Sequence, residues 1–405
     1  MKEWYLTKIG SLCKRVCSGG TPKSSVEEYY GGGIPWLNTK EVNFNRIYST
    51  VSTISEAGLN NSSAKWIDKH SVIIAMYGAT AAKCAIGMIP MTTNQACCNL
   101  MIDEDLADYR YVYYALTNAY SKLASLANGG AQQNLNAQLI KDFKIPLPNL
   151  QTQHRIADIL STFDDKIENN VRINHNLEEQ AKALYKSWFV DFEPFKDGQF
   201  VDSELGMIPE GWRVGTLSEL GDIVAGGTPS KTKPEYYTNN GIAWLTPKDL
   251  SVKCYKFTAR GEIDITEDGY KNSSAKLMPR GSVLFSSRAP IGYISIAKGD
   301  ICTNQGFKSV VPKYAGTAYL YYWLCENTEA IEAQASGSTF KEASGSLMRS
   351  FPALVPEKSV IDSFEKELSP ILNEQEILEE EINYAEQIRD SLLPRLMSGE
   401  LLMNC

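Results

Sequence analysis

Ile156, Leu160, Phe163, Ile167, Asn170, Asn174, Leu177, Ala181, Leu184 and Trp188 follow one another at alternating spacings of four and three. That alternation is the seam of a coiled coil, and it predicts one long helix over residues 150–189. Shifting each number by 208 gives Phe364, Leu368, Ile371, Gln375, Leu378, Ile382, Ala385, Arg389, Leu392 and Leu396. This second seam is mostly apolar and predicts a second long helix. Pro370 is expected to kink or interrupt it, because proline lacks a backbone N–H and its ring clashes with the preceding turn. A helix with one apolar stripe cannot bury it alone, so the two are expected to pack on each other. Asn170, Asn174 and Gln375 sit on that seam, either as tolerated polar positions near an end or bend or as groups that fix register and orientation at a cost in stability. Outside the helices the pattern changes to short β-branched stretches, such as 71–76 and 282–286, between Gly, Pro and Asn punctuation. That predicts short strands and long loops, with helices over 109–126 and 318–335.

The same pattern occurs twice. Gly19-Gly20-Thr21-Pro22 returns as Gly226-Gly227-Thr228-Pro229, and Glu28-Tyr29-Tyr30 as Glu235-Tyr236-Tyr237. Gly33-Ile34-Pro35-Trp36-Leu37 returns as Gly241-Ile242-Ala243-Trp244-Leu245, and Lys40-Glu41 as Lys248-Asp249. Asn61-Ser62-Ser63-Ala64-Lys65 reappears as Asn272-Ser273-Ser274-Ala275-Lys276, and Thr93-Asn94-Gln95 as Thr303-Asn304-Gln305. The order is kept throughout, so the chain is a two-fold duplication, with a period too long for a solenoid. The expected architecture is α+β: a globular domain over 1–149, a long helix and connector over 150–205, a second globular domain over 206–356 and a second long helix over 357–405. The helices are expected to pair as an antiparallel coiled coil with pseudo-two-fold symmetry.

Composition narrows the class. A chain of 405 residues with 43% hydrophobic and 22% charged positions has the balance of a globular protein. No apolar run reaches the ~18 residues of a spanning helix, and the first residues have no signal-peptide core. Nine cysteines, an odd number, fit free thiols and a cytoplasmic location. The net charge of −8 speaks against nucleic acid only until it is divided. Residues 1–150 carry +3 and 206–356 carry +2, while 151–205 carry −5 and 357–405 carry −8. Two mildly basic domains can face DNA; the acidic helices suit a protein partner or solvent.

Catalytic patterns are missing from the sequence. There is no Asn/Asp-Pro-Pro-aromatic motif for adenine methylation and no glycine-rich strand–helix loop for S-adenosylmethionine. The run "GGTPSKT" at 226–232 does not satisfy a phosphate-binding loop, and its counterpart "GGTPKSS" makes a structural turn the better account. Cys13 and Cys17 have no second ligand pair at zinc spacing, and His70, His154 and His175 are scattered. Cys97 and Cys98 read as core filler.

These segments resemble the specificity subunit of type I restriction–modification systems. The resemblance rests on the paired "GGTP", "EYY…GIPWL", "NSSAK" and "TNQ" blocks, on "LYKSWFVDFEPF" at 184–195, on "ELGMIPEGWRVGTLSEL" opening the second half, and on "LLPRLMSGEL" at 392–401. It covers essentially the whole chain. It implies that each globular part is a target recognition domain reading one half of a bipartite double-stranded DNA sequence. It implies paired helices that space the two domains and dock two methyltransferase subunits, with restriction subunits joining. The chain would then carry no catalytic step and no cofactor, S-adenosylmethionine being expected on the methyltransferase subunit, and no membrane would be involved.

If the two domains read different half-sites, residues identical in both are poor base readers. Trp36/Trp244 and Asn61/Asn272 are therefore expected to be scaffold. The shared cations Lys40, Lys248, Lys65 and Lys276 are candidates for phosphate contact, with solvated lysines as the plain alternative. Base readers belong where the copies diverge: Tyr77 in Met76-Tyr77-Gly78 against Arg288 in Ser287-Arg288-Ala289, and Gln132, Gln133 and Asn134 in residues 131–134 against Lys341 in residues 338–341. Arginine suits guanine, and Asn or Gln suits adenine. Trp188, Phe189 and Phe192 are either a plug where the helix meets the second domain or an anchor for the methyltransferase subunit. Competing readings are a free-standing DNA-binding regulator and the specificity subunit of a fused methyltransferase–nuclease.

Overall fold

A computed structural model describes residues 4–127, 134–252, 255–337 and 341–401. The chain divides into two compact units, Met1–Ile167 with Tyr384–Cys405, and Glu168–Asn383.

In the first unit a five-stranded sheet runs in the order Cys13–Ser18, Cys97–Ile102, Val72–Ala75, Cys84–Gly87 and Asn45–Ile47. Its neighbours are antiparallel except the last pair, which is parallel. Val72–Ala75, Cys84–Gly87 and Cys97–Ile102 are buried along their whole length, so they read as apolar runs rather than as alternation. A four-stranded sheet orders Ser52–Ile54, Tyr30–Leu37, Met91–Thr93 and Trp66–Ile67. Tyr5–Lys8 pairs with Lys144–Leu147, just before the first long helix begins at Leu150. The stretch expected as one helix over 109–126 is two, Tyr109–Asn118 and Tyr120–Ala127. The break falls where the Tyr120 ring packs edge-on against Phe44, 5.3 Å between centroids.

The second unit repeats the plan. Gly221–Ala225, Lys308–Pro312, Val283–Ser287, Ile291–Ala297 and Phe257–Thr258 form a five-stranded sheet with the same order and the same senses. Arg213–Thr216 pairs with Pro352–Val355, as Tyr5–Lys8 does with Lys144–Leu147. Here the helix after the sheet is continuous, Thr317–Gln334.

The two long helices, Leu150–Phe189 and Lys358–Met397, contribute to both units. None of the twenty seam residues is exposed. Within the second unit Phe189 stacks edge-on against Phe364, Gln375 reaches Glu178 and Asn170 reaches Glu381. One number falls as the other rises, so the pairing is antiparallel. Within the first unit Ile156 and Leu160 share a core with Leu393 and Leu396, and Asp164 bonds Arg389 at 2.7 Å. Two of the polar seam positions are partnered across the interface: Asn170 donates to Glu381 at 2.8 Å, and Gln375 donates to Glu178 at 3.2 Å, whereas Asn174 Oδ1 is buried without a hydrogen-bond partner among the described residues.

The expectation that Pro370 interrupts the second helix is corrected. Lys358–Met397 is helical throughout. Pro370 lies on an exposed face, while Phe364, Leu368 and Leu372 on the opposite side are buried, and that packing carries the helix past the missing donor. Pro370→Ala restores the donor and is expected to raise the unfolding free energy by up to about 3 kcal/mol. A urea midpoint that fails to rise would show that the helix is already relaxed around the proline.

Candidate nucleic-acid interface

The duplicated sequence blocks meet at one place in each unit. In the first, the N–H of Gly20 donates to Thr93 O at 2.8 Å, and the Trp36 indole N–H donates to Gly20 O at 2.9 Å. Tyr30 donates its hydroxyl to Pro22 O at 2.7 Å, and Thr21 bonds Gln95. The second unit repeats each bond: Gly227 to Thr303 O, Trp244 to Gly227 O, Tyr237 to Pro229 O, and Thr228 to Gln305. The glycines are required by close approach. A Cβ on Gly20 would lie 2.1 Å from the Ala64 nitrogen, and one on Gly227 would lie 2.3 Å from that of Ala275. The "GGTP" blocks are therefore structural, as closely packed segments without a turn of their own, and the turns follow at 24–25 and 231–232. Asn61 and Asn272 close short helices by donating to Ala57 O and Asp268 O, both at 2.9 Å. Cys97 and Cys98 are buried, and burial pushes both thiols up to about 12. Among the described residues no cluster of His, Cys, Asp or Glu could hold a metal ion.

Sheet register sets which loops are neighbours. Ser18 lies opposite Cys98, Cys97 opposite Ala75, and Ile74 opposite Cys84, and the strand from Asn45 runs parallel to the one from Cys84. The loops at 19–22, 93–96, 77–83 and 39–44 therefore leave the same end of the sheet. Leu135 joins them, donating to Met76 O at 3.0 Å, and Thr80 ties its loop to the Lys40 turn by a 3.0 Å bond to Thr39 O. The structure thus gathers Lys40, Lys65, Tyr77 and Asn134 at one end of the first unit, all exposed. Gln132 and Gln133 lie outside the described residues. The other end of the sheet leads from Ile102 to Asp108, whose N–H donates to Gln153 of the first long helix at 3.0 Å.

The second unit presents the same end. Arg288 follows the strand Val283–Ser287, Ala343 donates to Ser287 O at 2.9 Å, and Lys341 is exposed nearby in sequence. Lys248 and Lys276 are exposed. Lys248 lies 3.2 Å from Glu262; Lys40, Lys65 and Lys276 form no ion pair among the described residues. The shared Lys-acid pair has a structural half that sequence alone did not reveal. Glu41 accepts from the N–H groups of Asn38 and Val51, and Asp249 accepts from those of Thr246 and Glu262. Each carboxylate closes the turn that turns its lysine outward.

Backbone bonds outside the strand pairing also correct the match between the divergent loops. Leu135 corresponds to Ala343, so Asn134 corresponds to Glu342 rather than to Lys341. Glu342 and its partner Lys308 carry charge beside Arg288 and were not singled out from sequence. Trp188, Phe189 and Phe192 pack into the second unit. Phe189 lies 4.8 Å from both Tyr319 and Phe364, Trp188 lies 5.6 Å from Phe364, and Phe192 lies 5.6 Å from Trp212, as ring centroids. That is the plug arrangement.

The fold is a duplicated α+β protein with two paired helices and one exposed loop cluster per copy. Residues 1–179 and 209–385 match the Type I restriction modification DNA specificity domain. The chain is 27% identical to the type I restriction enzyme MjaIX specificity subunit of Methanocaldococcus jannaschii, over 99% of this chain and 94% of that one. It is 26% identical to the HindI specificity subunit of Haemophilus influenzae, over 70% of this chain and 75% of the relative. In fold it is similar to the crystal structure of a type I restriction–modification S subunit from M. genitalium, with a TM-score of 0.63 and 18% identity over 97% of this chain and 96% of that one. The chain belongs to the family of type I restriction–modification specificity subunits. No helix among the described residues is long and apolar enough to cross a membrane.

Proposed function

We propose that this chain chooses the DNA sequence on which a type I restriction–modification complex acts, each recognition domain reading one half of a bipartite double-stranded target. The observation that carries the reading is one scaffold presented twice with different side chains at equivalent positions, exposed Tyr77 against half-buried Arg288 and exposed Asn134 against half-buried Glu342. Shared residues such as Gly20, Trp36, Gly227 and Trp244 build the scaffold, and the divergent Tyr77 and Asn134 face outward, as two half-sites of different sequence require. The paired helices space the domains and dock two methyltransferase subunits, with restriction subunits completing the assembly. S-adenosylmethionine belongs on the methyltransferase subunit, and this chain performs no catalytic step.

The test is to express the chain with its methyltransferase subunit in a methylation-free host and to sequence the methylated bases. A bipartite motif that appears only with this chain is the expected result. A folded complex that adds no methylation, or a chain that binds one uninterrupted site tightly by itself, would overturn the proposal. Lys40→Ala and Lys65→Ala are expected to weaken DNA binding for all sequences alike. Each lost phosphate contact should flatten the plot of log affinity against log salt by about 0.9. An unchanged slope would make them solvated surface lysines.

A further inference from the structure

Three equivalences place different chemistry on one framework. Met76 N–H donates to Ala96 O and Ser287 N–H to Gly306 O, so Tyr77 and Arg288 occupy the same position. Leu135 donates to Met76 O and Ala343 to Ser287 O, which equates Asn134 with Glu342. Cys98 lies opposite Ser18 and Lys308 opposite Ala225 on matching strands, which equates Cys98 with Lys308. The first domain is neutral at all three places; the second is charged at all three.

The charged set is connected. Lys308 Nζ lies 3.0 Å from Glu342 Oε1, and Arg288 Nη1 lies 3.4 Å from Glu342 Oε2. Lys308 also donates towards Ser287 Oγ at 3.4 Å and Gln305 O at 3.5 Å. Its side chain is only 11% exposed, whereas that of Arg288 is 37% exposed. An ammonium at this depth carries a desolvation cost that the sister copy avoids by keeping Cys98 fully buried in apolar surroundings. A stability requirement alone would favour the thiol. A carboxylate at a DNA-facing end would also repel phosphate, unless cations offset it. Here two cations share one carboxylate and leave the group net positive.

We infer that Lys308 and Glu342 are positioning residues that hold the Arg288 guanidinium for a guanine in the second half-site. The inference rests on the half-site reading proposed above. Lys308 anchors Glu342 from inside the sheet, and Glu342 restrains the half-exposed arginine, which would otherwise lose rotamer freedom on reaching a base. The free face of the guanidinium then offers its paired donors to the O6 and N7 acceptors of guanine in the major groove. The first domain, with Tyr77 and Asn134 there, reads its corresponding base pair without charge.

The test uses the complex with its methyltransferase subunit and reads the methylated motif for Arg288→Ala, Arg288→Lys and Glu342→Gln, with thermal melting as the folding control. Each variant is expected to leave the first half-site unchanged. Each should raise methylation at sites carrying the wrong base at one position of the second half-site by roughly tenfold relative to the parent motif, the scale of one bidentate contact. That position is a G·C pair and is the same for all three variants. Arg288→Lys, at a half-exposed place, keeps the charge and removes only the fork, so it carries the test even if Glu342→Gln fails to fold. Full discrimination in a folded Glu342→Gln, beside relaxed Arg288 variants, would overturn the positioning role. An unchanged second half-site in the Arg288 variants would overturn the inference and leave half-site reading intact. Absence of any bipartite motif with the parent chain would remove the half-site reading itself.

Discussion

Gly20→Ala is expected to destabilise the first unit by roughly 4 kcal/mol or more, the scale of the most damaging single substitutions. The new Cβ would sit 2.1 Å from the Ala64 nitrogen and 2.2 Å from the Ser63 carbonyl carbon, and both are backbone atoms that cannot rotate away. Separating those segments also draws Gly20 O from the Trp36 indole and Gly20 N–H from Thr93 O. The damage therefore spreads through the contact point of four repeated blocks. Gly227→Ala should behave alike in the second unit, where the corresponding distance is 2.3 Å. Urea unfolding followed by tryptophan fluorescence measures both. A Gly20→Ala midpoint within experimental scatter of the parent would mean that residues 63–64 can retreat at little cost, and that the motif node is not tightly constrained.

Lys256→Ala is expected to cost about 3–5 kcal/mol, because it strands a partly buried carboxylate. The Lys256 side chain is 7% exposed and its ammonium bonds Glu178, Gln375 Oε1 at 2.8 Å and the Tyr322 hydroxyl at 2.6 Å. It also lies over the Tyr321 and Tyr322 rings at 4.7 and 4.8 Å. Its own backbone N–H donates to Glu379 at 2.8 Å, so the one residue joins the recognition domain to both long helices within the second unit. Burial alone would raise the Glu178 carboxyl; Lys256, Gln375 and Tyr322 outweigh it and hold the group below its ordinary value of 4.5. A depressed carboxylate contributes stability in full above that ordinary value and loses it as the pH falls through the folded value. The Lys256 joint should therefore loosen in acid. The check is a double-substitution cycle. Lys256→Met with Glu178→Leu should recover much of the loss, since removing both charges ends the desolvation cost. A single variant as stable as the parent would show that Glu178 reaches water without its lysine.

The two long helices could be read within residues 150–189 and 357–405 because helical geometry writes its buried stripe at a fixed local spacing, which survives Asn170, Gln375 and Pro370 on or near it. The duplication could be read because close backbone approach at Gly20 and Gly227 tolerates no side chain, so the same short words recur in the same order. Shared scaffold and divergent surface followed from that comparison alone.

Other features needed the folded chain. Glu41 and Asp249 looked like companions of their lysines, yet their carboxylates close turns against Val51 and Glu262, residues apart in the chain. The match of Asn134 to Glu342 came from backbone bonds to Met76 and Ser287, because loops of unequal length erase sequence register and equivalent tertiary bonds restore it. Lys256 and Lys308 are two lysines among forty cationic residues in the sequence, and only burial separates them from the solvated ones. Local periodicity and backbone crowding are properties of neighbouring residues, and so the sequence carries them directly. Which charge is buried, and which carboxylate receives it, depends on segments tens of residues apart meeting in space, and tertiary structure alone decides that.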